Sequence, residues 1–339
     1  MENETVQGPV VGKSPKVVVV VGNGFDLDLQ LKTSYNDFVE SGCFEALLQE
    51  HHPMSSSVEQ VYRREMQIYP NGLAQFIKDK KNRNNWVDLE ECIREYCIVK
   101  GKSTFSDLIR KEVNAVRYYM FRFIAMIPRD LQSVFYKNRV SYILFKTLVE
   151  SNLDFEIWSF NYTFSCETIL ENLGYTYEMA KSKVHYIHGS LFEAESNNKL
   201  SLVLGCNSSK EVAVVCPAII KNDMIPNYKR LKNQFDLHLM EAEHIIFFGH
   251  SMGSTDQQYF KNLLNSPSLK AITVFSRDLS SLNSVRVNLG ILPGDFETKV
   301  EDGAFSLLKY CTESFYRMDN PDKQGLEDIL HKTSSCQYT

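Results

Sequence analysis

Residues 16–26 read Lys-Val-Val-Val-Val-Val-Gly-Asn-Gly-Phe-Asp. The β-branched run predicts a buried strand, and the two glycines that follow it predict a tight turn into a helix. In such a turn the backbone can approach a phosphate closely, and the free N–H groups at the helix start favour negative charge. Gly22, Asn23 and Gly24 therefore predict a nucleotide site, although a plain turn between strand and helix that binds nothing has the same pattern.

The composition is typical of a globular protein and limits the partners it can have. The chain has 339 residues and a net charge of −5, which gives no support to a general nucleic-acid-binding surface or to attraction by an anionic membrane. Its eight cysteines form no C-x-x-C pair, so we expect no zinc ribbon but reduced thiols. The run Val17–Val21 is far shorter than the roughly 20 residues of a membrane-spanning helix. We therefore expect a cytoplasmic protein that binds neither nucleic acid nor membrane.

Alternating strand and helix patterns predict the fold class and the domain organisation. Strands are expected at 16–22, 155–160, 184–187, 200–204, 244–248 and 271–275, and helices at 25–42, 104–127, 165–172 and 278–289. Strands that alternate with helices indicate an α/β fold with a mostly parallel, Rossmann-like sheet covered on both faces. We expect a core of residues 16–50 and 151–325, a helical insertion at 51–150, and loose tails at 1–15 and 326–339.

Polar residues follow several of the predicted strands, at the carboxyl ends where parallel sheets bind ligands. Asn161 comes after the second strand and could hold a water or a ribose hydroxyl, or simply cap the next helix. His188 comes after the third strand and could act as a general base near neutral pH, or bond structurally to a loop carbonyl. In the insertion, Asp88 and Glu90 do not share a helix face, so capping and salt bridges are expected of them.

Residues 249–253, Gly-His-Ser-Met-Gly, support a different interpretation. They follow a predicted strand and match the G-x-S-x-G nucleophile elbow of α/β hydrolases, with Ser251 as nucleophile and Asp295 and His331 completing a triad. A helix N-cap by Ser251 or Ser254 is the structural alternative. A hydrolase does not explain the glycine turn after the first strand, so a serine hydrolase is only the second alternative function.

Five motifs, taken in order, resemble the AbiH-type bacteriophage abortive infection family. Its opening signature, a G-N-G-F-D-L turn before a T-x-Y-x-D-F helix, resembles residues 20–38, Val-Val-Gly-Asn-Gly-Phe-Asp-Leu-Asp-Leu-Gln-Leu-Lys-Thr-Ser-Tyr-Asn-Asp-Phe. The other matching segments are Asn-Trp-Val-Asp-Leu-Glu (85–90), Ser-Phe-Asn-Tyr-Thr (159–163), Ile-His-Gly (187–189) and Gly-His-Ser-Met-Gly-Ser-Thr-Asp-Gln-Gln-Tyr-Phe (249–260). The resemblance extends from about residue 16 to 276.

That family is in turn similar to sirtuin-like proteins, many of which consume NAD in antiphage defence. The resemblance implies that Asn161 positions a water or the ribose hydroxyls and that His188 acts as the base. It also implies a set of cofactor-binding residues: Gly22, Asn23 and Gly24 at the diphosphate, Asp26 beside the turn, Gly249 and Ser251 on the opposite side, and Asp256 at a ribose hydroxyl. Thr163 departs from the sirtuin-like pattern, which has an aspartate there, and the absence of the sirtuin zinc cysteines argues against protein deacetylation.

The function implied by this resemblance is antiphage defence through NAD. We expect an effector that binds NAD or a related nucleotide and hydrolyses the nicotinamide–ribose bond, without a metal ion. A non-catalytic nucleotide-binding sensor, in which binding rearranges the helical insertion or an oligomer, is the first alternative. We also expect a homo-oligomer, because helical insertions of this kind often make subunit contacts.

Overall fold

The computed structural model describes most of the chain between Lys16 and Arg317. The described residues are 16–49, 71–80, 86–101, 103–127, 134–151, 153–190, 202–206, 210–224, 228–253, 256–261, 263–276, 279–290, 296–303 and 310–317. The expected tails at 1–15 and 326–339 lie outside the described residues.

A seven-stranded sheet forms the centre of the described part of the chain. Its strands are β1 (Lys16–Val21), β2 (Asp154–Ser159), β3 (Val184–Tyr186), β4 (His244–Phe248), β5 (Ala271–Ser276), β6 (Phe296–Gly303) and β7 (Tyr310–Arg317). They lie in the order β3-β2-β1-β4-β5-β7-β6. The first five are parallel, whereas β7 runs antiparallel to both β5 and β6. The α/β class and the mostly parallel sheet are confirmed, and the antiparallel pair is an addition that the sequence analysis does not predict.

One predicted strand is wrong. Five of the six predicted strands correspond to β1–β5, but residues 202–204, the described part of the segment predicted at 200–204, form no strand. Nearby, Cys206 makes only an isolated bridge to Ile220. Leu202 and Leu204 are buried in a helical cluster instead. A short apolar run indicates burial, but it does not by itself distinguish a strand from other buried backbone.

The helices lie on both faces of the sheet and in a block of their own. They are α1 (Asn23–Asp28), α2 (Tyr35–Val39), α3 (Gly42–Leu48), α4 (Gly72–Asp79), α5 (Trp86–Lys100), α6 (Ser106–Ala125), α7 (Val134–Lys137), α8 (Val140–Glu150), α9 (Ser165–Asn172), α10 (Tyr177–Lys183), α11 (Lys210–Val215), α12 (Lys221–Met224), α13 (Tyr228–Glu241) and α14 (Leu279–Leu289). Short 3₁₀ turns occupy Ser103–Phe105, Pro217–Ile219, Gln257–Tyr259 and Leu263–Asn265. In the described residues no helix is long and apolar enough to cross a bilayer.

The sheet separates two apolar cores. Because successive side chains of a strand point to opposite faces, β1 contributes alternately to each core. Val17 and Val19 pack with α1, α8, α9 and α10, where Phe25 lies 5.0 Å from Phe145 between ring centroids. Val18 packs on the other face with α13 and α14. Helices therefore cover both faces, and ligand sites are left to the edges of the sheet.

A third apolar core belongs to the helical block that follows β1. Helices α2 to α6 bury Phe38, Leu89 and Tyr118 together. Residues 202–206 and 210–220, which the sequence analysis assigns to the sheet core, add Leu204 and Ile219 to the same cluster. The same segment reaches the loop after β3, where the Val203 N–H donates to the His188 carbonyl oxygen over 2.8 Å.

The single helix predicted at 25–42 is wrong, because the segment folds as α1, α2 and the start of α3. Gln30 follows α1 with φ of 58° and turns the chain. Ser34 then begins α2 with a capping box to Asp37, and Ser41 caps α3 by accepting a hydrogen bond from the Phe44 N–H. Serine side chains that satisfy free N–H groups start new helices, which apolar spacing alone does not reveal.

Candidate functional site

The predicted site residues follow four neighbouring strands. Gly22 follows β1, Asn161 lies just beyond β2, His188 lies just beyond β3, and Gly249 follows β4. All four strands are parallel, so their carboxyl ends lie at one edge of the sheet. The structure therefore brings these residues to a common edge, where α/β proteins bind ligands.

The glycine turn packs directly against the turn after β4. The Gly24 N–H donates to the Gly249 carbonyl oxygen, and the Gly22 N–H donates to the Phe248 carbonyl oxygen, both over 3.0 Å. A Cβ atom at Gly24 would lie 2.5 Å from the Gly249 Cα, which no real contact allows. These glycines permit the close approach of two loops, and their N–H groups already have protein acceptors. Asn23, half-buried at the first position of α1, lies between them.

Asn161 ties the β2 loop to the glycine turn. Its Nδ2 donates to the Gly22 carbonyl oxygen over 2.9 Å, and its backbone N–H donates to Ser159 Oγ over 3.2 Å. The side chain is buried. Asn161 thus holds the ends of β1 and β2 in a fixed relation, the kind of rigid support that a ligand-positioning amide requires.

Asp26 is a buried carboxylate that two hydroxyl groups hold from the β2 side. Thr163 Oγ1 donates to it over 2.7 Å and Ser165 Oγ over 2.5 Å. Burial raises the pKa of Asp26 to about 6, although bonds from Ser165, Thr163 and Asn161 act in the opposite direction. Thr163 stands where the sirtuin-like pattern has an aspartate. Here it is hydrogen-bonded to Asp26, a carboxylate from the turn after β1.

His188 and His250 both approach Asp256. His188 Nε2 lies 3.5 Å from Asp256 Oδ1, and His250 Nε2 lies 3.6 Å from Asp256 Oδ2. These separations are long for hydrogen bonds, and His188 Nε2 is a buried nitrogen without a hydrogen-bond partner among the described residues. The ring of Phe160 lies edge-on to both imidazoles, at 5.3 Å from His188 and 4.3 Å from His250.

The protonation state of these groups follows from their burial and charges. Burial and the Lys221 ammonium lower the pKa of His188, and the opposing effect of Asp256 does not restore it, so this imidazole is neutral at neutral pH. Burial by itself raises the pKa of Asp256, but Lys221 and the two histidines hold it well below its usual range. His250 Nδ1 accepts the Met252 N–H over 3.1 Å, which assigns the proton of a neutral His250 ring to the Nε2 that faces Asp256.

Lys221 and Glu90 complete the cluster, and the sequence analysis does not identify Lys221. Lys221 Nζ lies 2.6 Å from Glu90 Oε1 and 3.1 Å from Asp256 Oδ1, and all three side chains are buried. Burial lowers the pKa of Lys221, but the two carboxylates outweigh it and raise the pKa overall. The expected salt bridge at Glu90 is therefore present, and no local motif marks its partner because Lys221 belongs to a distant element of the chain, α12.

Ser251 is exposed on the turn after β4. Met252, the residue after it, has the left-handed φ of 48°, and the Ser251 carbonyl oxygen accepts a hydrogen bond from Asn288 Nδ2 over 3.2 Å. Asp295 and His331, the other members of the hypothetical hydrolase triad, lie outside the described residues, as does Ser254. The triad stays a prediction.

A cavity of about 590 Å³ lies away from this edge. It is bounded by the turn after α1, by α3 and by the end of α6, and its lining includes Leu31, Cys43, Arg122 and Phe123. None of the predicted site residues lines it. The candidate site is thus a buried polar cluster at the sheet edge and not the large apolar cavity.

Comparison with known proteins identifies a family over most of the chain. The family model described as bacteriophage abortive infection AbiH matches residues 18–277. No match is found among curated proteins. The matched region contains all of the candidate site residues, from Gly22 to Asp256.

Proposed function

Because the chain belongs to the AbiH family of bacteriophage abortive infection proteins, we propose that it is a defence effector that binds NAD or a related dinucleotide and hydrolyses its nicotinamide–ribose bond. The likeness to sirtuin-like enzymes is part of this proposal. The reaction would occur at the carboxyl edge of the parallel strands, where Asn161 and His188 lie.

The strand order supports a dinucleotide ligand. The order β3-β2-β1-β4-β5 matches the first five strands of the doubly wound, Rossmann-like fold, which binds dinucleotides where the order reverses beside β1. The loops after β1 and β4 flank this position, and the N–H groups of Gly22 and Gly24 are already used between them. In our proposal the diphosphate therefore contacts mainly Asn23 and the exposed Ser251. The glycines allow the loops after β1 and β4 to pack closely enough to hold these two residues near each other.

The observation that carries the catalytic proposal is the state of His188. It is buried and neutral, and its Nε2 faces the Asp256 carboxylate at 3.5 Å, which assigns the ring proton to Nε2 and the lone pair to Nδ1. A neutral imidazole of this kind can accept a proton without first losing one. Asp256 and Lys221 act on His188 from inside the protein, so they are positioning residues in this proposal.

The proposed reaction needs one water and one base. As the bond between the ribose C1′ and the pyridinium nitrogen breaks, its electron pair moves to the ring and nicotinamide leaves as a neutral molecule. The water oxygen bonds to C1′, and the proton that it loses passes to His188 and then to solvent. Asn161 would orient the water or the ribose hydroxyls, an entropic contribution that needs a rigid support such as its bond to Gly22.

The direct test follows nicotinamide release from NAD by the purified protein. His188→Gln removes the base, and we expect turnover to fall by about 10²- to 10⁴-fold, with a comparable loss in Asn161→Ala. Gln75→Ala, which changes an exposed amide on α4, is the matched control and should leave turnover unchanged. Circular dichroism and thermal melting establish that each variant is folded. Turnover retained in folded His188→Gln would contradict the proposed role of His188.

A non-catalytic sensor is the second candidate, and the Glu90–Lys221–Asp256 chain favours it. Glu90 belongs to the helical block, whereas Asp256 faces the histidines at the sheet edge. A ligand that moves Asp256 would therefore displace Lys221, and with it Glu90 of α5. Saturable NAD binding without nicotinamide release would favour this sensor over the enzyme, and the absence of both binding and release would overturn the NAD proposal.

A further inference from the structure

A second polar cluster lies on the sheet face that α13 covers. Glu156 and Trp158 are two residues apart in β2 and so point to the same face. The parallel register sets His185 of β3 beside Trp158. His238 of α13 lies over the same face, where its ring is 5.5 Å from that of Trp158 and 5.5 Å from that of His185. Three elements thus bring two imidazoles and a carboxylate together.

The three side chains converge on one point. One ligand atom from each of Glu156, His185 and His238 lies within 4.8 Å of the other two. His185 Nε2 and Glu156 Oε2 are 2.9 Å apart, and each of these side chains is 21% exposed. That partial exposure leaves a path from solvent for a water ligand, while most of each side chain is held by its neighbours.

Trp158 fixes both imidazole rings from behind. It is fully buried, it stacks on His185 at 4.6 Å between ring centroids, and its Nε1–H donates to His238 Nδ1 over 3.3 Å. This bond occupies the Nδ1 lone pair of a neutral His238 ring and leaves the ring proton on Nε2, so an ion bound through Nε2 requires the tautomer that is protonated at Nδ1 and breaks the 3.3 Å bond.

We propose that Glu156, His185 and His238 bind a divalent first-row transition metal ion, of which Zn²⁺ is the representative, with water as a fourth ligand. Two histidines and one carboxylate are a recurrent donor set for Zn²⁺ and its neighbours. An ordinary ion pair between Glu156 and His185 would not require the second imidazole. The metal would fasten the edge strand β3 to α13, and it takes no part in the proposed NAD chemistry.

The surrounding charges do not oppose this ion strongly. Two lysines lie close enough to act electrostatically on the cluster: Lys16 acts on His238, and Lys183 acts on Glu156. Lys16 is paired with Glu241 at 2.6 Å and Lys183 with Asp154 at 3.7 Å, so both positive charges are partly compensated. No spacing motif in the sequence marks this metal site, because the three ligands come from three separate elements.

The test titrates the full chain with Co²⁺ and uses the fluorescence of Trp158 as the reporter. The protein contains two tryptophans, and Trp86→Phe leaves only the one that touches the proposed site. We expect one equivalent of Co²⁺ to quench this fluorescence. Added Zn²⁺ should displace the Co²⁺ and restore the fluorescence. The visible spectrum should be that of Co²⁺ with nitrogen and oxygen ligands, without the charge-transfer absorption of thiolates. This difference distinguishes binding at the proposed site from binding to cysteine side chains.

Two variants localise the metal, and one control excludes the other histidine cluster. His238→Gln and Glu156→Gln should each weaken Co²⁺ binding by more than about 100-fold, since even outer-shell changes cost 10- to 100-fold. Glu156→Gln keeps a polar partner for His185 and guards against loss of the fold. His188→Gln should leave Co²⁺ binding unchanged. Absence of stoichiometric binding, a thiolate spectrum, or full affinity in both folded variants would overturn the proposal.

Discussion

Replacing Lys221 by methionine removes the cation that holds two buried carboxylates. At an effective dielectric constant of about 20, its attractions amount to about 6 kcal/mol for Glu90 at 2.6 Å and about 5 kcal/mol for Asp256 at 3.1 Å. The burial of three charged groups offsets most of this gain. Breaking such a cluster leaves stranded charges, so we expect Lys221→Met to lower the free energy of unfolding by about 3–5 kcal/mol at pH 7.

The assay is urea unfolding of the variant beside a matched control. Lys232→Met removes a lysine from a half-exposed pair with Asp236 at 2.7 Å, which should contribute at most about 1 kcal/mol. The double variant Glu90→Gln with Lys221→Met should recover part of the loss, because one stranded charge is removed as well. Equal losses in Lys221→Met and Lys232→Met would refute the assignment of Lys221 as the centre of the cluster.

The pH dependence of the same variant has a definite sign. In the wild type, Lys221 and the histidines depress the pKa of Asp256, so its contribution is present above the unfolded pKa and is lost as the pH falls. Without Lys221, burial is the dominant influence and raises this pKa. The free energy of unfolding of Lys221→Met should therefore increase as the pH is lowered from 7 towards 4, relative to the wild type.

Two further predictions concern the glycine turn and its buried carboxylate. The pKa of Asp26 is raised to about 6, so the folded protein binds this proton more tightly than the unfolded chain, and the corresponding stability, about 3 kcal/mol, is lost as the pH rises from 4 to 7. Urea unfolding across that range should show this loss in the wild type and not in Asp26→Asn, and parallel pH profiles would contradict it. Gly24→Ala should destabilise the fold by about 1–3 kcal/mol, because its Cβ meets the Gly249 backbone at 2.5 Å. Gly42→Ala, with nothing within 4 Å, should be neutral or stabilising by up to about 1 kcal/mol in the same assay, and equal effects would show that the loop contact is unimportant.

The local patterns were sufficient for the strands of the parallel sheet and for the edge where the site lies. β1, β4 and β5 are short, mostly apolar runs, whereas β2 and β3 also contain polar residues; each is followed by a turn, and these local features can be read without knowledge of neighbours. The local patterns were insufficient for 25–42, where Ser34 and Ser41 restart the helix, and for 202–204, where burial occurs without a strand. No strand was predicted from the sequence for either member of the antiparallel pair β6 and β7.

The sequence by itself determined the strand, turn and helix around Gly22 and the position of Asn161 and His188 at the ends of strands. It did so because backbone preference and apolar periodicity are local properties of the chain. Only the tertiary structure decided that Lys221 lies between Glu90 and Asp256, and that His238 lies beside His185 and Glu156. These partners come from elements far apart in the chain, and it is the packing of those elements, together with the need to compensate buried charge, that selects them.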